Sequence, residues 1–302
     1  MKNYIKIILD KIEIKNSNHA IKLRENLKGL SNDYFELGNS FFEKYEKYLH
    51  TNNLTLDYGV DFYLKMIKNM LEERIKFIQN GKYSNSSFED VKKNVYAKSE
   101  VMTYHMHGLI LAQFLWFDQY ERIKFFCDNI SKHFQNGKKY LEIGGGHGLY
   151  ILQAMNILPK DTQFDLVDIS ESSLNIAKGI LGTNKINFYL KNIYDFTDET
   201  IYDFITIGEV LEHLEEPERL LKKIGEHLGE NGILFVTTPI NAPMIDHIYL
   251  FKNEDEIRGL FNKAGFEIIE EKVVISEKIS PEKASKFKVP IMYAAYIKNK
   301  QL

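Results

Sequence analysis

The sequence has little of several features that define common protein classes. It holds one cysteine in 302 residues, Cys127, which excludes a disulfide framework and a zinc site built from cysteines. A net charge of −3 argues against a basic nucleic-acid binder. The longest apolar run, 108–117, is interrupted by Gln113 and is far shorter than the roughly 20 residues of a spanning helix. Because residues 1–10 also lack the pattern of a signal peptide, we expect a cytoplasmic protein.

Helix-breaking residues are scarce in the first half of the chain. All six prolines lie at or after Pro159, and twelve of the 18 glycines follow Gly137. Both residues disfavour helix interiors and favour turns, so the two halves are predicted to be built differently. With 44% hydrophobic and 27% charged residues, the composition is that of a folded chain.

The first half has helical periodicity. Apolar residues recur every three or four positions in 61–79, with charged residues between them. A weaker helix is predicted at 90–96, and the apolar, aromatic stretch 101–131 predicts one or two helices buried on more than one face. A break is expected near 52–58. These patterns predict an all-helical cap domain over residues 1–135.

From Lys138 onward, strand-like and helix-like segments alternate. Strands are predicted at 139–143, 163–168, 186–190, 202–207, 233–238, 266–275 and 290–298, and helices at 149–158, 171–181, 216–228 and 254–263. This alternation predicts an α/β domain over 136–302 with a mostly parallel sheet. No helix is predicted between the last two strands, so we expect one antiparallel strand.

A glycine-rich segment, Glu142-Ile-Gly-Gly-Gly-His-Gly148, joins the first strand to the following helix. Glycines there allow a ligand to approach the backbone closely. A dinucleotide fingerprint requires Gly-x-Gly-x-x-Gly. That pattern fails from Gly144, because its third glycine position is Leu149, and from Gly145, because His147 occupies the second. A phosphate-binding P-loop is excluded, since no Gly-Lys-Ser/Thr follows.

The pattern that does fit is acidic-x-Gly-x-Gly-x-Gly, formed by Glu142, Gly144, Gly146 and Gly148. Here the chain resembles the class I, Rossmann-like, S-adenosylmethionine-dependent methyltransferases, over roughly residues 135–275. The resemblance implies S-adenosyl-L-methionine as the cofactor. It also implies that an acidic residue after the second strand accepts the ribose hydroxyls, and Asp168 occupies that position.

Three further segments carry the resemblance. Ile169 borders the ribose position, and Asn192 replaces the acid that would accept a hydrogen bond from the adenine amino group. Ile193 would add a backbone N–H and an apolar adenine contact. After the fourth strand, segment 209–217 resembles the family's Glu/His-Leu-x-x-Pro segment, which implies that Glu209 contacts the methionine part of the cofactor.

Methyl transfer requires orientation and, for a neutral acceptor, loss of a proton. His247, beside Asp246 on the loop after the fifth strand, is the preferred general-base candidate, and a loop-packing histidine is the alternative. His213 after the fourth strand and Tyr104 before a buried helix are further catalytic candidates. No group of His, Cys and Asp has ligand spacing, so no metal site is predicted.

The sequence therefore predicts a methyltransferase that acts on an oxygen or nitrogen of a small molecule in a crevice covered by the helical cap. No Asn/Asp-Pro-Pro-Tyr/Phe motif follows the fourth strand, which argues against base or glutamine methylation. Two alternatives stay open: a cyclisation of the cofactor that releases methylthioadenosine, and a non-catalytic cofactor-binding regulator. We expect no nucleic-acid or membrane partner; the oligomeric state is open, and a homodimer is compatible.

Overall fold

The computed structural model describes residues 2–196 and 200–301. Within these ranges, none of the helices combines the length and apolar character that crossing a membrane requires. Residues 4–133 fold mainly as helices: α1 (Tyr4–Lys15), α2 (Ser17–Leu27), α3 (Asn32–Thr51), α4 (Leu56–Asn80), α5 (Phe88–Val91), α6 (Ser99–Leu115) and α7 (Phe117–His133).

The helical character that was predicted for this half is confirmed. The break expected near 52–58 separates α3 from α4, and the stretch 101–131 is two helices that meet at Trp116. The weak helix predicted at 90–96 begins as α5 and continues as a π-helical turn over Lys92–Tyr96. Such π turns are rare and are often found near functional sites.

The second half is a seven-stranded sheet with the strand order 3-2-1-4-5-7-6. Its strands are β1 (Lys139–Ile143), β2 (Gln163–Asp168), β3 (Ile186–Leu190), β4 (Tyr202–Gly208), β5 (Leu228–Ile240), β6 (Phe266–Ile275) and β7 (Ile291–Asn299). The helices that accompany it are α8 (Leu149–Ile157), α9 (Glu171–Leu181), α10 (Pro217–His227), α11 (Glu254–Lys263) and α12 (Pro281–Lys286).

The predicted reversed strand is confirmed, because β7 runs antiparallel to both β5 and β6. Two details differ from the prediction. The connection between β6 and β7 contains α12, a short helix capped by the Ser280 side chain, where we expected only a loop. Strand β5 begins at Leu228, five residues before the predicted start, with a register shift against β4 that accommodates the Asn231-Gly232 segment.

Successive side chains of the sheet enter two different cores, as the alternation of strand side chains requires. On one face, Phe126 of α7 packs against Phe235, with 5.0 Å between ring centroids, and against Phe204 at 6.3 Å. On the other face, residues of β4 and β5 pack with α10 and α11. Helix α7 therefore lies on the sheet as closely as the helices of the second half do.

The helical half and the first sheet face share one continuous hydrophobic core. The ring of Tyr48 in α3 lies against Gly179 in α9, and the Met106 sulfur of α6 accepts a hydrogen bond from Ser173 at 3.7 Å. Because α6 also packs against α4, the N-terminal helices are held over the carboxyl ends of the strands.

The packing of α4 against α6 depends on Gly108, where a Cβ atom would lie 2.6 Å from Met66 Sδ and 2.8 Å from Met66 Cβ. We expect Gly108→Val to lower the free energy of unfolding by about 1–3 kcal/mol through overpacking, measured by urea denaturation. The control is Gly259→Ala in α11, where no atom lies within 4 Å of the added Cβ. Equal stability of Gly108→Val and the wild type would contradict this account of the interface.

Candidate active site

A cavity of about 1110 Å³ lies between the N-terminal helices and the carboxyl ends of the strands. Its walls come from α2, α4, α6 and α7 on one side, and from the segments after β1, β2, β3, β4 and β5 on the other. Sites for one drug-sized ligand usually occupy about 300–1,000 Å³, so this cavity has room for a cofactor and a second small molecule.

The glycine segment bends sharply at one end of this cavity. Gly144, Gly146 and Gly148 have positive φ values of 67°, 52° and 72°, the left-handed region in which glycine carries no steric cost. A Cβ atom on Gly145 would lie 2.6 Å from Leu166. Gly144 and Gly146 line the cavity, whereas Gly148 begins α8 and packs beside Leu181. Gly144 and Gly146 therefore face the cavity, and Gly148 allows the turn into α8.

Asp168 stands at the end of β2 and lines the same end of the cavity. Its carboxylate accepts hydrogen bonds from the backbone N–H of Ser170 at 2.8 Å and of Gly146 at 3.3 Å. The side chain thereby ties the glycine segment to β2. Burial raises the pKa of Asp168 to about 6, with the hydrogen bonds acting in the opposite direction. At neutral pH the carboxylate is mainly ionised and offers acceptor oxygens.

Glu142 lies in β1, just before the glycines of this segment, and is almost completely buried. Burial raises its pKa to about 8, although a backbone hydrogen bond from Ile151 at the start of α8 favours the charged form. Its Oε2 atom has no hydrogen-bond partner among the described residues, and the side chain lines the cavity. A polar atom left unpartnered at the cavity wall is a contact that a bound ligand can complete.

The remaining cofactor candidates line the cavity on the side of β2 and β3. Ile169 is 49% exposed, so its apolar side chain is available to a ligand. The Asn192 side chain accepts a hydrogen bond from the Tyr194 N–H at 3.1 Å and holds the short 3₁₀ turn that begins at Ile193. These residues form a partly apolar flank of the kind that a planar base requires.

Glu209 takes part in a charged group that the sequence did not reveal. It has a φ of 57°, accepts a hydrogen bond from Thr237 Oγ1 at 2.8 Å, and pairs with Arg122 of α7 at 2.9 Å. Arg122 also donates to Gln113 at 2.9 Å. Burial raises the pKa of the neighbouring Asp118 to about 6, with Arg122 opposing the rise. The available signal was the spacing of Asp118 and Arg122 by four residues, in line with Phe126 and Ile130 on the side of α7 that is buried.

A second group of side chains, which we name the polar corner, consists of Glu212, His213, Asp246, His247 and His105, and all of these except Glu212 line the cavity. His105 Nε2 lies 3.2 Å from the Asp246 carboxylate, and His213 Nδ1 lies 3.0 Å from the Asp246 carbonyl oxygen. His247 Nδ1 lies 2.6 Å from the Ala242 carbonyl oxygen. Two of the catalytic candidates, His213 and His247, are therefore neighbours, with 5.0 Å between their rings.

The surroundings shift the pKa values of His213 and His247 in opposite directions. Burial lowers the pKa of His247 to about 3, and the nearby His213 adds to that effect. Burial acts on His213 in the same direction, but the carboxylates of Asp246 and Glu212 outweigh it, and its pKa is raised. The geometry thus favours His213 over His247, our preferred candidate from the sequence, as a group that receives a proton.

The third catalytic candidate, Tyr104, does not line the cavity. Its ring lies under the Lys65 ammonium group, 4.5 Å away, on the side of α6 that faces α4. His105 points into the cavity, whereas His107, two residues later, bonds to Tyr45 at 2.6 Å in an aromatic cluster. A helix turns by about 100° per residue, so neighbouring positions reach different surroundings.

The strand order with one reversed strand, the left-handed glycine segment after β1 and the buried acid after β2 define a class I S-adenosylmethionine-dependent methyltransferase. A sequence model described as a methyltransferase domain matches residues 118–271, about half of the chain. The chain belongs to this family. The match includes α7, which agrees with the close packing of that helix on the sheet.

Curated relatives carry related descriptions. The ubiquinone biosynthesis O-methyltransferase of Rickettsia canadensis is 24% identical over 200 residues, which cover 58% of this chain and 83% of that protein. The malonyl-[acyl-carrier protein] O-methyltransferase of Bacillus anthracis is 28% identical over 100 residues, 33% of this chain and 37% of that protein. A ubiquinone biosynthesis O-methyltransferase of Coxiella burnetii is 29% identical over 130 residues, 42% and 54% of the two chains. The chain thus spans about half or less of the last two.

Solved structures share the fold. The mitomycin 7-O-methyltransferase MmcR superimposes with a TM-score of 0.53, covering 77% of this chain and 68% of that one at 12% identity. The plantazolicin methyltransferase BpumL in complex with SAH gives 0.51, covering 78% and 100% at 16% identity. At such identities the likeness shows the fold alone.

The residues present fit S-adenosylmethionine. The glycine segment leaves backbone exposed to the cavity, since a Cβ on Gly146 would meet nothing closer than Met106 Cε at 3.6 Å. Asp168 supplies carboxylate oxygens for a ribose diol, and the flank beside β3 supplies an apolar surface for a base. The unpartnered oxygen of Glu142 and the buried charge of Arg122 lie at the same end of the cavity.

We expect Asp168→Ala to weaken S-adenosylmethionine binding by more than about tenfold, because it removes charged hydrogen-bond acceptors from the ribose position. Isothermal titration calorimetry measures the dissociation constant. The matched control is Asp161→Ala, which removes an exposed carboxylate that pairs only with Lys138. An unchanged dissociation constant for Asp168→Ala would refute the ribose assignment.

The pH dependence follows from the same residue. With a pKa near 6, Asp168 gains a proton as the pH falls below neutrality and loses its charged acceptors. We therefore expect cofactor binding to weaken between about pH 8 and about pH 5. Asp168→Ala should show a flatter profile over that range, and parallel profiles for the two proteins would assign the pH effect to another group.

Proposed function

We propose that the protein transfers a methyl group from S-adenosylmethionine to a hydroxyl oxygen of a small, partly apolar molecule bound in the cavity. One observation carries this proposal: the glycine segment with Asp168 and the polar corner with His213 line the same cavity. The O-methyltransferase descriptions of the curated relatives support an oxygen acceptor. When bound, S-adenosylmethionine supplies a methyl group on a positively charged sulfur, and the transfer leaves S-adenosylhomocysteine.

In this proposal, the residues around the cofactor and those around the acceptor have separate roles. Asp168, Gly144 and Gly146 hold the ribose and the backbone-facing part of the cofactor, and Asn192, Ile193 and Ile169 surround the base. Arg122 and Glu209 present opposite charges where the cofactor's amino-acid group requires both. The acceptor hydroxyl lies at the polar corner and loses its proton there as the C–O bond forms. His213 is the residue of that corner whose pKa is raised and whose ring faces the cavity.

We further propose that the helical residues 1–135 form a cap that excludes water and selects the acceptor. Residues of α2, α4 and α6 line the cavity, among them Met102 and Leu109, and so does Trp116 between α6 and α7. Apolar walls of this kind suit an aromatic or aliphatic small molecule and shield the reacting atoms from solvent. Helix α7 is the exception within the cap, because it packs on the sheet.

Product analysis tests the reaction. The protein is incubated with methyl-labelled S-adenosylmethionine and a panel of phenols, catechols, aliphatic alcohols and primary amines. We expect label in an oxygen-bearing acceptor and an equal amount of S-adenosylhomocysteine. Release of methylthioadenosine without labelled acceptor would replace the proposal by cyclisation, and transfer restricted to amines would refute the oxygen assignment.

A matched pair of variants tests the polar corner. We expect His213→Gln to lower kcat by about 100-fold or more, the usual effect of losing a group that handles a proton, with the dissociation constant for S-adenosylmethionine within about twofold. Tyr104→Phe, which changes a hydroxyl outside the cavity, should retain kcat. Wild-type turnover by His213→Gln would remove the polar corner from the mechanism.

A further inference from the structure

We propose that the polar corner binds one divalent transition-metal cation of the Zn²⁺ or Mn²⁺ type through Glu212 Oε1 and the Nε2 atoms of His213 and His247. These three side chains offer ligand atoms that all lie within 4.8 Å of one another. The two imidazole Nε2 atoms lie 3.9 Å and 4.0 Å from Glu212 Oε1. Ligand spacing in the sequence did not predict a metal, because His247 comes from a different strand end.

The first argument is the direction of the lone pairs. A backbone carbonyl only accepts hydrogen bonds, so the contacts of His213 Nδ1 with the Asp246 carbonyl and of His247 Nδ1 with the Ala242 carbonyl place the ring protons on Nδ1. Both Nε2 atoms then present lone pairs toward a carboxylate oxygen. Three acceptors that face one another repel unless a metal cation or an added proton lies between them.

The second argument is an unsatisfied atom. Glu212 is completely buried, and its Oε2 accepts a hydrogen bond from Thr238 Oγ1 at 2.9 Å. Its Oε1, the atom that faces the two histidines, has no hydrogen-bond partner among the described residues. The imidazole nitrogens lie too far from it for a hydrogen bond. Burial of a polar oxygen without a partner costs free energy, and a bound cation would remove that cost.

The groups behind the ligands match those of metal sites. Ligating histidines generally donate their second ring N–H to a carbonyl or carboxylate, which fixes the ring and its tautomer. Both histidines do so here, and the carboxylate of Asp246 also lies 3.6 Å from His213 Nδ1. His105 holds Asp246 from the cap, at 3.2 Å. The cap therefore contributes a positioning residue to a site whose ligands all come from the second half.

The ligand set indicates the kind of cation. Two imidazole nitrogens and one carboxylate oxygen suit Zn²⁺, Mn²⁺ or Fe²⁺, whereas Mg²⁺ and Ca²⁺ prefer oxygen ligands. Tetrahedral bonds of about 2.0–2.2 Å place ligand atoms roughly 3.4 Å apart, so the three atoms need to approach one another by roughly 0.5–1.5 Å. Because His213 and His247 line the cavity, an open position would face the acceptor, as in catalytic three-ligand sites.

The role of the cation rests on the proposed function, although its binding does not. A hydroxyl bound at the open position would have a lowered pKa and would release its proton to solvent water near neutral pH. In that state His213 acts as a ligand, and the acceptor oxygen is held at the polar corner as an alkoxide or phenolate.

Metal binding is tested without any acceptor. The full-length protein is stripped with EDTA, dialysed against Zn²⁺ or Mn²⁺ and analysed by mass spectrometry for bound metal. We expect about one equivalent in the wild type and less than a tenth of that in His247→Ala and Glu212→Gln. The matched control, His50→Ala, removes an exposed histidine on α3 and should retain the metal.

Because Glu212 is buried, its variant could fail to fold, and a measurement on the wild type keeps the test decisive. Co²⁺ added to the stripped protein should give visible d–d absorption, and His213→Gln should abolish it while circular dichroism stays unchanged. No retained Zn²⁺ or Mn²⁺ in the wild type, or equal retention in His247→Ala, overturns the proposal. Retention of Mg²⁺ alone overturns the ligand assignment.

Activity separates this inference from the proposed function. If an acceptor is found, EDTA should lower turnover by at least about tenfold, and Zn²⁺ or Mn²⁺ should restore it. Methyl transfer by a metal-free protein would leave the proposed function intact and overturn the role of the cation. Stoichiometric metal binding without methyl transfer to any hydroxyl would support the metal site and refute the proposed function.

Discussion

The burial of α6 is the constraint on which the arrangement of this molecule depends, because nearly all of its side chains beyond the first turn are buried. A helix that is apolar around most of its circumference has no broad face to leave in water, so it must be covered on nearly all sides. Helices α4, α7 and α9 supply that cover. In reaching all of them, α6 brings Met106 to the glycine segment and His105 to Asp246. Helix α6 therefore connects the cap with both the glycine segment and the polar corner.

Charged side chains are distributed unevenly around that cavity. They form two groups, one suited to holding a cofactor and the other suited to holding an acceptor. Arg122, which is buried, pairs with Glu209 beside acidic groups whose pKa values are raised by burial. Histidines and carboxylates alternate in the polar corner, which is near enough that Glu209 adds to the effect of burial in raising the pKa of Glu212. Because these groups are largely buried, their electrostatic effects are weakly screened by water. A cofactor and an acceptor can be held side by side by different interactions.

The sequence predicted most of the fold, because periodicity and turn residues are local properties. The strands of the second half and the glycine segment follow from patterns within a few residues of one another, and so does the reversed β7. The polar corner could not be predicted in this way. Its members His105, His213 and His247 are far apart in the sequence, and their meeting depends on how α6 lies over the strand ends. For the same reason the role of Arg122 could not be predicted, because its partner Glu209 lies on the loop that follows β4.

The single hydrophobic core shared by the two halves also governs how the chain can fold as it is synthesised. Phe126 of α7 contacts Phe235, and the hydroxyl of Tyr296 in β7 donates to the Phe126 carbonyl at 2.8 Å. Strand β7 lies between β5 and β6, so this side of the sheet closes only when residues 291–299 have emerged from the ribosome. Until then the apolar surface of α7 lacks part of its covering, and the growing chain is exposed to aggregation or chaperone capture.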